Sequence, residues 1–237
     1  MRSVFLLTVR QLSGRWRLAI MAILAALPVI GTLNLLMDND AVSVGEFESI
    51  VLSGMLSGSI IPLVVLAIAA AAFGNEVEDR TLANLTTSPL PRWRIALPKL
   101  LATLAIALPF IAVSAFVTAH AAFLSDTRAT LAVTLGAAAA VAMYAALFVW
   151  LGLVSAQAIG IGLLYIVLWE GLFSNYVEGV RLLSIRAYAI ALMHGMDERR
   201  FASVDHLNVW VAAGMALLVI GGSLFLSVRR LRAMDVP

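Results

Sequence analysis

The chain has 237 residues, 62% of them hydrophobic and 13% charged, with a mean hydropathy of +0.99. A soluble domain carries about 25% charged residues, so this chain lacks the polar surface to face water, and its natural solvent is lipid. Its net charge is +2 and it has no cysteine, which excludes a disulfide framework and a thiolate zinc site. In so apolar a chain the basic excess speaks to membrane topology rather than to nucleic acid.

The first element is residues 2–17, where Phe5, Leu6, Val9 and Leu12 recur at helical spacing opposite Arg2, Arg10 and Gln11. A helix of this kind lies in the membrane interface with its basic face toward anionic headgroups; the alternative is a plain positively charged flank. The apolar run that follows lacks a small-residue cleavage site and reads as a retained span.

A helix crossing the hydrocarbon core needs about 20 apolar residues. Residues 18–37, 50–73, 95–124, 130–155, 158–173 and 207–228 supply six such stretches, the fifth being short and the third longer than needed. Unbroken apolarity rather than alternation argues for helices and against a barrel. The expected fold is an all-α membrane protein, one transmembrane domain over 1–237, with a cytoplasmic loop at 74–94, an outer segment at 174–206 and a tail at 229–237.

Orientation follows the basic residues. With the N-terminus inside, cytoplasmic segments hold Arg2, Arg10, Arg15, Arg17, Arg80, Arg92, Arg94, Lys99, Arg229, Arg230 and Arg232, eleven of the sixteen. Most acids, Asp38, Asp40, Glu46, Glu48, Asp126, Glu170, Glu178, Asp197, Glu198 and Asp205, fall outside. The positive-inside rule then puts both termini in the cytoplasm, and an even number of spans agrees. In the outer segment, residues 180–193 read as a helix lying on or dipping into the outer leaflet, stopped at His194-Gly195.

One polar island interrupts the pattern on the cytoplasmic side, from Gly74 to Arg94. Glu76, Glu78 and Asp79 suit the first turn of a short helix, where the dipole favours negative charge. Leu82 and Leu85 share one face, Pro89 and Pro91 end the helix, and Pro98 with Lys99 opens the next span. Such an element can dock in a partner's groove; it can equally be an ordinary charged loop.

The stretch resembles the signature loop of the ABC-2 type permeases, membrane subunits of ATP-binding cassette transporters. Their pattern, approximately Glu-x-Glu-x-Gly-Thr-Leu-x-x-Leu-x-x-x-Pro followed by a Gly-Lys, is matched by Glu76, Glu78, Thr81, Leu82, Leu85, Pro89 and Lys99. It departs at Arg80, where glycine is usual, and at Pro98 before the lysine. The resemblance implies that this loop is a coupling helix resting on an ATPase subunit, with Glu76, Glu78, Arg80, Thr81, Leu82, Leu85 and Pro89 at the contact and residues 2–17 bracing the same surface. It implies an exporter built from two permease copies, expected as a homodimer with a heterodimer of similar permeases as the alternative, and two copies of the ATPase in the plasma membrane of a prokaryotic cell. It implies no enzyme activity, catalytic residue, cofactor or metal in this chain. There is no Gly-x-x-x-x-Gly-Lys-Ser/Thr phosphate loop, so ATP and Mg are expected on the partner ATPase.

Ionisable and amide residues within spans are costly and often functional; here they are Asn34, His120, Gln157 and Glu170. Glu170 follows Trp169, so its carboxylate is expected at the interface. His120, His194 and His206 show no ligand-pair spacing and are expected near the outer surface. Gly54-x-x-x-Gly58 and the alanine runs 67–72 and 137–140 permit close helix approach. An intramembrane enzyme would need a motif such as His-Glu-x-x-His or Gly-x-Ser-x-Gly, and neither is present. A non-ATP-coupled six-span carrier or a substrate-capture subunit remains as the rival; a carrier would place ionisable residues near the midplane. The apolar path favours an amphipathic or lipid-like cargo.

Overall fold

The computed structural model describes residues 2–38, 45, 47–78, 91–123, 126–173, 183–197 and 207–233. Ten helical elements occur among them and no strand. In chain order they are α1 (Arg2–Leu12), α2 (Arg15–Asp38), α3 (Phe47–Ile60), α4 (Ile61–Glu78), α5 (Trp93–Phe123), α6 (Thr127–Val154), α7 (Ala158–Leu164), α8 (Tyr165–Phe173), α9 (Ile185–Met196) and α10 (Val209–Ala233). In hydrocarbon every backbone N–H and C=O must be satisfied within its own segment, which leaves the helix as the element for these sequences.

Five helices are long and apolar enough to cross a membrane: Arg15–Met37, Phe47–Gly74, Trp93–Phe123, Thr127–Val154 and Val209–Ala233. Four of the expected spans therefore extend by a turn or less at one end or both, and the last shifts toward the basic tail. The fifth expected span, Ala158–Phe173, is a shorter apolar helix that does not reach spanning length, so the count of six is not met by length and composition.

α6 is the centre of the bundle, packed by α4, α5, α9 and α10. Its sequence explains why: alanine and glycine repeat along it, with Ala137, Ala140 and Ala145 fully buried, so neighbouring backbones come close and gain dispersion contact on all sides. A Cβ on Gly152 would lie 2.5 Å from the carbonyl oxygen of Ala70 in α4, and one on Gly136 would collide with Met193 of α9. The alanine run of α4 thus serves close approach, as its composition suggests. Gly54 and Gly58 do not: a Cβ there would meet the carbonyls of Ser49 and Ser53 in the same helix, and at Gly58 the guanidinium of Arg186.

The reason lies in the winding. α3 is a π-helix, with wider i→i+5 turns. It gives way to α-helix at Ile61-Pro62, where the proline cannot donate to the preceding turn and its ring crowds that turn's carbonyl. α8 is wound the same way.

α6 starts at Asp126, whose carboxylate accepts from the N–H groups of Arg128 (3.1 Å) and Ala129 (3.3 Å), satisfying orphan donors of the first turn. Of the expected 180–193 helix, residues 180–182 lie outside the described residues; α9 begins at Ile185, where Ser184 caps it by accepting from the N–H of Ala187 at 3.2 Å. It is a buried element: Ile185, Tyr188, Ala189, Leu192 and Met193 are enclosed between α3, α6 and α10.

Burial grades outward. The α3–α4 span is 78% buried over its apolar window, whereas those of α2 and α10 are each 22% buried. Trp210, Leu217 and Phe225 stand exposed on α10 and Ile23 on α2; a soluble monomer does not carry so much contiguous apolar surface. Replacing Gly152 by Val should force α6 off α4 and destabilise the bundle by about 1–3 kcal/mol. Gly160→Val meets nothing within 4 Å and should leave detergent-solubilised thermal unfolding near the parent value; equal losses at both sites would refute the close-packing account.

Candidate functional site

The polar island lies between the end of α4 and the start of α5. Glu76 and Glu78 belong to the last turn of α4, not to the first turn of a separate short helix. The second apolar run stays helical past Gly74, which has open space around it, so the helix continues into the acids. The charge of Glu76 therefore sits at the dipole's unfavourable end, and a cation must offset it. Arg80, Thr81, Leu82, Leu85 and Pro89 fall in residues 79–90, outside the described residues, as does Asp79.

The cation is Lys99. It lies near the start of α5, 1% exposed, and its Nζ donates to Glu76 Oε1 at 2.6 Å and to the carbonyl oxygen of Ala72. The ammonium also stands 4.4 Å from the centre of the Phe73 ring, so a cation–π contact adds to the pair. The Glu76 side chain keeps 20% exposure, and its Oε2 has no hydrogen-bond partner among the described residues. Two helices of the bundle are thus clamped where the chain leaves one for the other.

Other elements gather at the same end. α1 packs along α5 and α4, with Arg2 and Phe5 lining a small groove with Leu97, Pro98 and Leu101. Trp93 is half exposed, with the Arg94 guanidinium 5.4 Å from its ring centre, the placement of an interfacial aromatic. The end of α10 joins them: Leu224, Phe225 and Val228 share a groove with Trp93, Ala96 and Leu97. Arg10, Arg15, Arg17, Arg229, Arg230 and Arg232 flank these helix ends in sequence, so one end of the bundle is basic.

A second polar cluster lies toward the opposite end, and no sequence motif marks it. Glu170 is fully buried within the protein, in α8, and accepts from Tyr165 Oη (2.9 Å), Ser184 Oγ (2.5 Å) and the Ile185 N–H (3.0 Å). Arg186 donates to the backbone oxygen of Glu170 (3.3 Å) and to Ser53 Oγ (2.5 Å) in α3. His194 is likewise enclosed by protein, with Nε2 2.9 Å from Oε1 of the buried Glu48. Nothing in the spacing of Glu48, Glu170, Arg186 and His194 links them along the chain. The legible signal was Trp169-Glu170 followed by Ser184 ahead of an apolar helix, a carboxylate and a cap that meet only once α9 folds inward.

The remaining polar residues of the apolar stretches are peripheral. Asn34 and Gln157 are exposed, and His120 is exposed and stacks on Phe116; His206 is outside the described residues. Among the described residues no group of three or more histidines and acids is placed to hold a metal ion. A groove of about 530 Å³ runs between α2 and α5 and is lined by Ala25, Ala26, Val29, Pro109, Phe110 and Val113 among others. Its one polar side chain, Ser114, is spent on the Ala25 carbonyl at 2.5 Å.

The family model described as ABC-2 family transporter protein matches residues 10–191, about three quarters of the chain. The match takes in α2 through most of α9, including the Glu76–Lys99 pair and the Glu170, Ser184 and Arg186 contacts, and ends before His194. Comparison with curated proteins returns no match.

Breaking a buried pair by removing one partner strands the other charge. Glu76→Gln should therefore cost about 1–3 kcal/mol in unfolding free energy, and Lys99→Met a similar amount. The double variant should lose clearly less than the sum of the two, as read in a double-mutant cycle of detergent unfolding; additive losses would show the pair to be inert.

Proposed function

Since the chain belongs to the ABC-2 family of transporter membrane proteins, we infer that it is the permease of an ATP-binding cassette exporter and is moved by ATPase subunits bound at its basic end. ABC-2 permeases work with ATPase subunits of ABC transporters, so the chain's role is transport, and the ATP chemistry belongs to the partner.

The observation that supports this reading best is the Glu76–Lys99 clamp. A force applied to residues 79–90 has to enter through α4 and α5, and the clamp makes those two ends move as one. Through α4 it reaches α6, whose backbone is in contact at Gly152, and so the centre of the bundle. Glu78, Arg80, Thr81, Leu82, Leu85 and Pro89 supply the surface that touches the ATPase. Glu76 has the inner role of holding Lys99, which departs from the contact role implied by family resemblance. α1, laid against α5 beside Pro98, braces the same surface.

The basic end faces the cytoplasm of a prokaryotic cell, with both termini there and the chain in the plasma membrane. α2 and α10 leave their apolar faces open, and the groove between α2 and α5 has no polar group to spare. These features suit a homodimer of permeases with two ATPases, embedded in lipid, passing an amphipathic or lipid-like compound. The buried Glu170–Arg186 cluster favours one rival, a carrier driven by an ion gradient, since such carriers keep ionisable groups inside the membrane.

Reconstituted vesicles decide between them. With the ATPase present, Glu78→Lys and Leu82→Asp should lower ATP-dependent transport and permease-stimulated hydrolysis by about tenfold or more, a loss of at least 1.4 kcal/mol of coupling, while unfolding stays at the parent value. Transport that persists without any ATPase and collapses with an ionophore would overturn the exporter in favour of the carrier.

A further inference from the structure

α9 is held differently from the rest of the bundle. α4, α6 and α7 meet through apolar surface, with glycine admitting a neighbour at Gly152 and at Gly162. α9 also seats Met193 over Gly136 of α6, but its contacts with α3 and α8 are polar at both ends. At its first turn Arg186 reaches Ser53 and the Glu170 backbone, while the Glu170 carboxylate takes the Ser184 hydroxyl and the Ile185 N–H. At its last turn His194 meets Glu48. Since Ser53 lies further into α3 than Glu48, α9 runs antiparallel to α3, with Arg186 as its deep end.

Two physical points separate these contacts from ordinary packing. A hydrogen bond to protein exchanges for one to water at little net cost, whereas apolar contacts lose their whole transfer energy on wetting. A polar seam is therefore the place where a bundle opens to an aqueous path most cheaply. Second, both partners of the deep end are π-wound: Ser53 comes from α3 and Glu170 from α8. A π-turn carries one more residue than the α-turn it replaces, so rewinding rotates the side chains beyond it, and such turns recur at functional sites.

We propose that α9 is a latch on the non-cytoplasmic side of the permease, fastened to α3 and α8 by Arg186, Ser53 and Glu170, and that each transport cycle releases it. On release α9 pivots on its seat against α6 and α10 and swings away from α3 and α8, opening an exit lined by the freed polar groups. This deepens the exporter reading and rests on it for the word "cycle"; the fastening itself does not.

The chain has no cysteine, so spin labels can be placed by substitution. Ile50→Cys on α3 and Met196→Cys on α9, both exposed positions, report the α3–α9 separation by double electron–electron resonance in lipid nanodiscs. Leu135→Cys on α6 with Leu218→Cys on α10, also exposed, form a pair that the swing leaves unchanged. In the resting protein the first pair should give one short distance. Arg186→Gln, and more weakly Ser53→Ala, should raise a longer-distance population about tenfold while the control pair holds. With ATPase bound and turning over, the parent protein should populate the same longer distance.

An α3–α9 distance unchanged in both variants, or a control pair that shifts along with it, would overturn the latch, as would turnover with the short distance retained throughout. If no ATPase associates, the exporter reading falls instead. The resting comparison, which needs no ATPase, still decides whether Arg186 holds α9.

Discussion

A charge taken into a bundle as thick as a bilayer must bring its partner with it, because no water waits there to replace one. This constraint accounts for where the molecule is rigid and where it is articulated. Lys99 is enclosed only because Glu76 and the Ala72 carbonyl meet it. Arg186 reaches α3 only because Glu170 and Ser53 receive it. In each case the partner lies on another helix, so satisfying the charge fastens two helices together.

The two clusters divide the labour by position. Glu76–Lys99 joins consecutive helices at the end where the chain makes its polar excursion, and Glu170–Arg186 joins α8 and α9 to α3 toward the opposite end. Between them α6 carries almost no polarity and a surface of alanine and glycine. A helix so closely embraced moves as a body with its neighbours. In the proposed transport cycle, displacement entering at α4 and α5 would be delivered to the far cluster with little lost in side-chain rearrangement, since packed interiors are bistable rather than soft.

The outer helices answer a different requirement. α2 and α10 bury little within one chain, and their exposed Ile23, Trp210, Leu217 and Phe225 need lipid or another protomer. The packing inside a single copy is thus complete at α6 and unfinished at the rim, the distribution expected of a subunit that works in a larger membrane assembly.

Much of this was determined by the sequence alone. Long apolar runs in a chain without polar surface dictate helices in lipid, because backbone satisfaction leaves no other choice. Arginines massed at particular helix ends mark one face of the membrane, and the acid–leucine–proline spacing of the island resembles a transporter family that the family match then bore out over residues 10–191. The tertiary structure decided what contacts distant in sequence decide. Glu76 was legible as an important acid, but its place in the last turn of α4 and its bond to Lys99, 23 residues on, depend on two helices lying side by side. Glu170 beside Trp169 gave no sign of its partners: it is enclosed because α9 turns inward and offers it Ser184 and Ile185. Gly54 and Gly58 matched a helix-contact pattern that assumes α winding; π winding sent them elsewhere. Composition and period set which elements form and in which solvent, while the pairing of buried charges depends on which faces meet, and only the folded bundle settles that.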